Sequence, residues 1–467
     1  MSSYPEDVRN QSFLETVPLH RVYSIIALLL GSLFLFTTPP FQVSDESGHF
    51  FRAYQISEGI WKTEVSPKAL TGAYVPVSIV ELWKNPTIQN LVFREEARMT
   101  PAYTLSLLHV PLNPQVRTLA PETIPFYPPH LYIPQAIGIG LGRLLNLSPI
   151  VLLYLGRFCN LLWWIALVSL TLYLAPFFRW IFFLLALMPI QVFNSASLSA
   201  DNSVIGYTFV LIALLMRAAF ESRERLGRGM LCAIFVAVIL QAPAKIVYTP
   251  ILFLFLLIPT NRFRSVRRYY FCFSCLLGAA CAASAAWSGW SGVTQVIPVY
   301  QATVFGIQGI DIAGQKAYIC SHPLQYAVNV LRTYYYNDSL SVWMGRIGWS
   351  NRPLPENLIL FYSLLFPIAI CQERSSPIEF TRRQRMVVFM SLLTSVALLT
   401  VVLYLTCCPV GSPRVRPIVL GRYFVPLAPL FFLLFHKIRF SKVGVMVSGA
   451  IALGLWCLYV SVRNYYG

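Results

Sequence analysis

Acidic residues are scarce in this sequence. Of its 467 residues only 19 are Asp or Glu, against 36 Lys or Arg, and charged residues make up 12% of the chain. So few charges exclude an ordinary soluble domain, in which about a quarter of the residues are charged. The net charge of +17 does not indicate nucleic acid either, because most of the excess Lys and Arg lies in short loops between apolar runs. Nucleic acid is therefore not an expected partner.

The sequence also lacks a recognisable metal site and a cleavable signal. Cys272 and Cys275 have a zinc-like spacing, but they lie in an apolar run without partner ligands. Cys320, Cys407 and Cys408 fall in polar loops, where a disulfide on an oxidising face is an open alternative. No small-x-small cleavage site follows the first apolar run, which we therefore interpret as a signal anchor.

What the chain does have is apolar sequence of membrane-spanning length. Hydrophobic residues make up 56% of it, in repeated runs that are too long for barrel strands. Backbone groups inside a bilayer must be paired within their own segment, so these runs are predicted to be helices. The predicted fold is an all-α polytopic membrane protein with about eleven transmembrane helices. A twelfth is the alternative if Ile133–Leu145 spans, whereas its short length favours a membrane-level helix of the preceding loop.

The distribution of Lys and Arg predicts a cytoplasmic N-terminus, because every short basic loop then falls on the cytoplasmic side. Among the helices expected are surface helices at Gly48–Glu58 and around Asn90–Met99 and short spans at Trp180–Val192, Val247–Ile258 and Tyr423–Phe435. The predicted divisions are a cytoplasmic N-terminus (1–21), a first transmembrane helix (22–38), a large outer loop with surface and membrane-level helices (39–148), a transmembrane bundle (149–287), a second outer loop (288–357) and C-terminal transmembrane helices (358–467).

The stretch Thr37–Gly59 follows the first apolar run and is the densest group of ionisable residues at a predicted helix mouth. It contains Asp45, Glu46, His49 and Arg52 within eight residues. Ionisable groups at the boundary of hydrocarbon and water are rare and usually functional, so we predict an acidic site here. An ordinary surface turn, with Asp45 capping the following helix, is the alternative.

Two further charged residues are predicted on the same outer face. Asp201 begins a predicted span and is either a second acidic element of the site or a helix cap. Lys245 lies between two helices and is either a contact for a lipid phosphate or a lysine that reaches out of the bilayer.

Arginines and aromatic residues of the later outer loops complete the candidate site. Arg414, Arg416 and Arg422 form a cationic run where the positive-inside rule does not expect one, which favours anion binding. Trp349 is either an aromatic residue of the membrane interface or part of a stacking wall for a sugar.

The motifs of the chain resemble a bacterial polytopic family called domain of unknown function 2142. The resemblance rests on the DE-x-x-HF-x-RAYQ stretch, YPPHLYIPQAIG, the SAD loop, AKIVYTP, MGRIGW and GRYFVPLAPL, which occur in the family's order along the chain. The acidic pair stands four residues further from the proline pair than in the family pattern. An acidic residue expected near Asn351 is absent, so that loop is given no acidic role.

That family in turn is similar to the membrane-embedded C-fold (GT-C) glycosyltransferases, which implies roles for the candidate residues. Asp45 would be the base that acts on the acceptor, Glu46 its partner and Asp201 a second acidic contact. The remaining candidates would bind substrate, with the cations holding the donor phosphate; they are His49, Arg52, Lys245, Arg346, Trp349, Arg414, Arg416, Arg422 and Tyr423.

The function that the resemblance implies is inverting transfer of a sugar from a polyprenyl-phosphate donor to a glycan, lipid or cell-wall acceptor. The reaction would take place on the outer side of the bacterial inner membrane, among membrane lipids. No cofactor is assigned, with a divalent cation (Mg²⁺ or Mn²⁺) left open. A ligase or polymerase of lipid-linked glycans, and a non-enzymatic transporter or flippase of such glycans, are the alternatives. The transporter alternative predicts ionisable residues within the spans and an internal repeat. The sequence has few charged residues within the predicted spans and no repeat.

Overall fold

The computed structural model describes residues 18–65, 71–221, 225–335, 343–349, 351–372, 380–415, 421–435 and 443–466. Helices dominate this part of the chain. In its first third the elements are α1 (Leu19–Thr37), α2 (Glu46–Ser57), β1 (Glu64–Val65), β2 (Thr71–Pro76), α3 (Val77–Lys84), α4 (Pro86–Phe93), α5 (Pro101–Ser106), a 3-10 turn (Leu107–His109), β3 (Arg117–Ala120), a second 3-10 turn (Pro129–Tyr132) and α6 (Ile133–Leu144).

The remaining two thirds contain the long helices that follow the first loop. The elements are α7 (Pro149–Leu174), α8 (Arg179–Leu187), α9 (Pro189–Ser195), α10 (Asp201–Phe220), α11 (Arg228–Gln241), two 3-10 helices (Ile246–Leu257 and Thr260–Arg262), α12 (Val266–Ser291), α13 (Val293–Phe305), α14 (Ile312–Ser321), α15 (Pro323–Tyr335), β4 (Arg346–Ile347), β5 (Arg352–Pro353), α16 (Glu356–Gln372), α17 (Arg382–Cys407), a 3-10 turn (Gly421–Tyr423), α18 (Ala428–Leu433) and α19 (Val443–Tyr466).

Six of the described helices are long and apolar enough to cross a membrane, which agrees with a polytopic membrane protein. They are α1, α7, α10, α12, α17 and the Met446–Tyr466 part of α19. Within its most apolar window α10 is 83% buried, whereas α12 is only 17% buried. Helix α10 therefore lies at the centre of the bundle, and α12 lies at its periphery.

Several shorter predicted spans are not continuous α-helices. The segment predicted as Trp180–Val192 is divided at Met188–Pro189 into α8 and α9, because a proline cannot continue the hydrogen-bond ladder of a helix. The predicted span Val247–Ile258 is a 3-10 helix with Pro250 inside it. Only the six-residue α18 represents the predicted span Tyr423–Phe435. The prediction of a single α-helix is wrong at these three places.

The first loop, between α1 and α7, contains β-structure that the all-α prediction missed. Strands β1, β2 and β3 form an antiparallel sheet in that order, with Tyr74 opposite Leu119. Helix α2 agrees in position with the helix predicted at Gly48–Glu58, but eleven of its 12 residues are buried, so it is not a surface helix. The helix predicted around Asn90–Met99 ends at Phe93. That helix begins earlier because the Asn85 side chain accepts hydrogen bonds from the first backbone N–H groups of α4.

Helix α6 has 12 residues, which at 1.5 Å per residue gives about 18 Å and is too short to cross a bilayer. It packs against α7 at Gly138, where a Cβ atom would overlap the backbone carbonyl oxygen of Leu155. The structure thus has a short helix held against the bundle where the sequence predicts a membrane-level helix. Cys320 and Cys407 are free thiols, and the Cys408 thiol donates to the carbonyl oxygen of Arg414.

The two ends of the central helix α10 differ in character. Its first residue, Asp201, lies among the candidate site residues that are described below. At its other end the Arg262 guanidinium donates to the carbonyl oxygen of Ala218, and the Leu226 N–H donates to the carbonyl oxygen of Arg262. Twenty residues of helix separate the two ends by about 30 Å, roughly the thickness of a bilayer. The candidate site and the loops that contain Leu226 and Arg262 therefore lie at opposite ends of the bundle.

Candidate functional site

Four ionisable side chains from distant parts of the sequence meet at one end of the bundle. Arg422 Nη2 lies 2.6 Å from Asp45 Oδ2, and Lys245 Nζ lies 2.8 Å from Asp201 Oδ1. Arg422 Nε also lies 3.3 Å from Asp201 Oδ2, although this N–H is not aligned for a hydrogen bond. We call Asp45, Asp201, Lys245 and Arg422 the charge cluster. It links the first loop to the beginning of α10, the connection after α11 and the loop before α18.

Neither carboxylate of the charge cluster caps a helix. Asp45 precedes α2 in a left-handed conformation, with φ of 64°, and its side chain makes no capping hydrogen bond. Asp201 is already inside α10, whose capping residue is Ala200. A non-glycine residue in the left-handed region is uncommon and costs conformational energy. The backbone at Asp45 instead directs its carboxylate towards Arg422.

Aromatic rings enclose the charge cluster. Lys245 Nζ lies 4.4 Å from the centroid of the Tyr423 ring and 5.3 Å from that of Tyr127, and the Tyr127 hydroxyl donates to Asp201 Oδ1 at 3.3 Å. Burial lowers the pKa of Lys245, and the Asp201 carboxylate opposes this. Burial alone would lower the pKa of Arg422, but Asp201 and Asp45 raise it well above its ordinary value. With two carboxylates and two cations the cluster has no formal net charge.

His49 stands beside the charge cluster without joining it. Its Nδ1 lies 2.9 Å from the Tyr132 hydroxyl, and its ring stacks on Tyr127. Burial lowers the pKa of His49 to about 4, against the opposing influence of Asp45 and Asp201. The imidazole is therefore neutral at neutral pH, and it supplies a hydrogen bond rather than a positive charge.

The lowered pKa of His49 predicts a loss of stability in acid. An unfolded chain binds a proton at His49 below about pH 6.5, whereas the folded chain binds it only near pH 4. The stabilisation is complete above pH 6.5 and is lost as the pH falls from 6.5 to 4. Thermal unfolding of the purified protein across this range should show a steeper decline for the wild type than for His49→Gln. Equal slopes would contradict a buried neutral His49.

Glu46 does not reach the charge cluster. Its carboxylate pairs with Arg157 of α7 through two hydrogen bonds of 2.8 and 2.6 Å, and both side chains are completely buried. Arg157 also donates to the carbonyl oxygens of Thr38 and Pro39, and the Leu198 N–H donates to Glu46. These contacts tie the end of α1 and the start of α2 to the bundle. They favour a structural role for Glu46 over the catalytic partnership with Asp45 that the sequence suggested.

Arg52 is buried within α2 rather than at the charge cluster. Its guanidinium donates to the Gln55 side chain and to the carbonyl oxygen of Trp61 at 2.6 Å. Both partners lie in α2 or directly after it. The contacts of Arg52 therefore favour a role in fixing this helix over substrate binding.

A cavity of about 240 Å³ borders Asp45. Its walls combine aromatic rings with a few polar groups, which is the usual composition of a small-ligand pocket. Trp349 forms part of the wall, stacked 6.1 Å from Trp83 and anchored by its Nε1–H to the carbonyl oxygen of Phe41. The lining residues are Asp45, Ser47, Gly48, Trp83, Gln89, Phe93, Pro121, Glu122, Tyr300, Thr303, Val304, Phe305 and Trp349.

Comparison with known proteins yields one match. A family model described as "Predicted membrane protein (DUF2142)" matches residues 28–431, which include the second half of α1, the first loop, the charge cluster and the cavity. The chain belongs to the DUF2142 family. No curated protein and no solved structure matches it.

The remaining candidate residues of this DUF2142 protein lie in short strands and loops of the second half of the chain. Arg346 is in β4, paired with β5, and is partly exposed. The side chain of Arg414 is exposed on the loop after α17, where its carbonyl oxygen accepts a hydrogen bond from Ser412. Arg416 lies outside the described residues. Of the three arginines predicted to bind an anion, the structure places Arg422 in the charge cluster.

The described residues do not fit the divalent cation that the sequence left open. No group of three or more His, Cys, Asp or Glu side chains comes together in this part of the chain. The two carboxylates that approach each other are paired with Lys245 and Arg422, and the Arg422 guanidinium lies between them. Hard cations need several oxygen ligands, so we derive no step through a metal ion.

Two important residues of this DUF2142 protein escaped the sequence analysis. Arg157 lies within the apolar run that forms α7. An arginine inside a span needs a buried acidic partner, and this requirement is the signal that could have identified it. Glu122 stands alone among prolines and uncharged residues in the segment Pro121–Pro125, where it has the appearance of an ordinary loop residue. Its position in the cavity depends on how that segment folds back onto α2.

Proposed function

We propose that this protein is a membrane glycosyltransferase of the GT-C type, which transfers a sugar from a polyprenyl-phosphate donor to a cell-envelope acceptor. The observation that carries the proposal is the position of Asp45. Asp45 pairs with Arg422 of the charge cluster, and it also lines the aromatic cavity. A base between an anion site and a hydroxyl site is what sugar transfer from a phosphate requires.

In the proposed reaction the acceptor hydroxyl oxygen attacks the anomeric carbon of the donor sugar, and a new carbon–oxygen bond forms. The bond between the anomeric carbon and the phosphate oxygen breaks, and its electron pair stays on the phosphate. Asp45 accepts the proton of the hydroxyl group. Lys245 and Arg422 stabilise the charge on the departing polyprenyl phosphate. The products are the inverted glycoside and polyprenyl phosphate.

The ion pairs of the charge cluster suggest that the donor binds before Asp45 acts as a base. With Arg422 bound to Asp45, the carboxylate is engaged and the cluster has no spare positive charge. A donor phosphate would compete with both carboxylates for Arg422 and Lys245, because phosphate binds guanidinium and ammonium groups strongly. Donor binding would then release Asp45 towards the cavity. In this proposal the base becomes active only when the donor is present.

The proposal rests on an outward-facing site in a bacterial inner membrane. We propose that about eleven helical segments cross it, the six long helices together with shorter apolar ones. The N-terminus would be cytoplasmic, which would put the charge cluster outside and the basic loops at residues 221–228 and 260–268 inside. The separation of these two regions by the length of α10 supports this orientation.

The orientation predicts which engineered cysteines react from outside the cell. In a cysteine-free background, Lys84→Cys should react with a membrane-impermeant thiol reagent in intact cells, and Arg264→Cys should react only after the membrane is opened. Both positions are exposed in the structure, so access to the side chain is not limiting. Labelling at position 264 but not at position 84 would reverse the orientation.

The donor class can be tested without knowledge of the acceptor. Lipids extracted from the purified protein should contain a polyprenyl-phosphate sugar, detected by mass spectrometry, and Lys245→Met should retain about tenfold less because a charge-assisted phosphate contact is lost. Arg332→Met, outside the charge cluster, is the matched control and should retain the wild-type amount. Retention of glycan-bearing pyrophosphate lipids instead would favour the ligase or polymerase alternative. Equal retention by both variants would contradict a phosphate site at Lys245.

A further inference from the structure

We propose that the cavity beside Asp45 binds one pyranose ring of the acceptor, with Glu122 as the residue that selects its hydroxyl pattern. This inference rests on the proposed function, because it assigns the acceptor of that reaction to the carbohydrates. It also goes beyond it, since the sequence, the family and the charge cluster give Glu122 no role.

The walls of the cavity suit a sugar rather than an apolar ligand. Two of its aromatic side chains remain exposed, Phe93 at 60% and Phe305 at 46%, and they line the cavity together with Asp45 and Glu122. Exposed rings next to carboxylates offer a flat apolar surface and hydrogen-bond acceptors together. A pyranose has a matching C–H face and a rim of hydroxyl donors, and the electron-rich face of an aromatic ring attracts such polarised C–H groups.

The size of the cavity limits the ligand to a single ring. Its volume of about 240 Å³ lies below the range of about 300–1,000 Å³ that is typical of pockets for drug-sized molecules. One pyranose fits a space of this size, and a disaccharide would extend out of it. The acceptor residue would therefore be bound end-on, with further residues of a glycan or lipid outside the cavity.

Glu122 contributes an acceptor that is unused among the described residues. Its Oε2 atom is buried without a hydrogen-bond partner, although the side chain lines the cavity. A buried carboxylate oxygen without a partner is costly, so a ligand in the cavity that supplies a hydrogen-bond donor to the Glu122 carboxylate would be favoured. A sugar hydroxyl is such a donor.

The fold holds Glu122 next to Asp45 by specific contacts. Gly48 of α2 provides space, because a Cβ atom there would overlap the carbonyl oxygen of Glu122. The Thr123 hydroxyl donates to the carbonyl oxygen of Ala120 at 2.7 Å and accepts from the Ala73 N–H at 3.1 Å, which fixes the turn to the sheet. The two carboxylates of the cavity therefore come from segments that are packed together, and they can contact different hydroxyl groups of one ring.

The inference is tested by direct binding of free sugars to the full chain in lipid nanodiscs. Saturation-transfer NMR would use the methyl pyranosides of glucose, galactose, mannose, rhamnose and N-acetylglucosamine as probes, with mannitol as an acyclic control. At least one pyranoside should receive saturation on its ring C–H protons, and mannitol should not. Glu122→Gln should weaken that binding about tenfold, because a charge-assisted hydrogen bond is lost. Phe305→Ala, at an exposed ring, should weaken it as well without affecting folding.

The control is Glu81→Gln, an exposed carboxylate on α3 outside the cavity, which should bind the pyranoside as the wild type does. Binding of no pyranoside, or equal binding by the Glu122, Phe305 and Glu81 variants, would overturn the inference. Glu122-dependent binding without any sugar transfer would leave the cavity assignment standing and remove the proposed enzymatic function. Transfer by Glu122→Gln with an unchanged KM for the acceptor would leave the proposed enzymatic function standing and remove the cavity assignment.

Discussion

Replacing Asp45 by Asn is expected to abolish sugar transfer while the protein remains folded and inserted. Asparagine keeps the shape and hydrogen-bonding reach of aspartate, but it cannot take a proton at neutral pH. Loss of general-base catalysis typically lowers the rate by about 10²–10⁴-fold. The loss should lie in the chemical step, measured as single-turnover transfer in liposomes at saturating donor. Retention of the donor lipid should be largely unchanged, since Lys245 and Arg422 remain.

Asp311→Asn is the matched control for this experiment. Asp311 is exposed and caps α14 with its side chain, a contact that asparagine reproduces. Near-normal transfer by Asp45→Asn at wild-type protein levels would refute the catalytic assignment. If Asp45 instead held a metal ion, transfer by the wild type would depend on added divalent ions and would be lost with a chelator. The pairing of Asp45 with Arg422 predicts no such dependence.

The second large effect is expected on stability, at Glu46. Replacing Glu46 by Gln leaves the completely buried guanidinium of Arg157 without its counter-charge. Removing one partner of a buried ion pair costs about 3–5 kcal/mol of the free energy of unfolding. Thermal unfolding in detergent should therefore show a greatly destabilised Glu46→Gln variant. The matched control is Glu221→Gln, which breaks an exposed pair with Arg217 and should cost about 0–1 kcal/mol.

A double variant separates the structural role of Glu46 from a catalytic one. Glu46→Met with Arg157→Met removes both charges and should recover much of the stability, because apolar side chains often replace a buried ion pair at little cost. If Glu46 only supports the fold, the recovered protein should also recover transfer. A stable double variant with no transfer would restore the catalytic assignment of Glu46 that the sequence suggested.

Part of the charge cluster could be predicted from the sequence, because residues at helix ends on the same side of a membrane are confined to one face of the bundle. Asp45, Asp201 and Lys245 each stand where an apolar run begins or ends, and an argument from topology puts them on a common face. Their meeting in the charge cluster follows the same logic. That the arginine among them is Arg422 rather than Arg414 depends on the course of one loop, which no periodicity in the sequence reveals.

The position of Glu46 could not be predicted from topology alone. It is adjacent to Asp45 in sequence, so a pair of carboxylates with one function was the simplest interpretation. Successive residues at the start of a helix point about 100° apart, because a turn contains 3.6 residues. One carboxylate therefore faces the charge cluster, and the other faces Arg157 in the core. Adjacency in a sequence does not imply a shared site where a helix begins.

The β-sheet of the first loop was missed for a different reason. Strand β2 is buried at five of its six positions, so it lacks the alternation of apolar and polar residues that identifies a half-buried strand. Its partners are short and separated from it in sequence, with β3 more than forty residues away. The proline-rich segment that carries Glu122 is placed by this sheet. The cavity could not be predicted because its wall at Glu122 is positioned by this sheet.

The central claim is that Asp45 lies between a phosphate site and an acceptor site. It is tested most directly by a cryo-EM structure of Asp45→Asn in nanodiscs with an added polyprenyl-phosphate sugar. Phosphate density is expected against Lys245 and Arg422, with the sugar next to residue 45 and the cavity. Arg422 should have moved from residue 45 to the phosphate. Phosphate density elsewhere in the protein, with the ion pairs of Arg422 and Lys245 to Asp201 unchanged, would contradict the account.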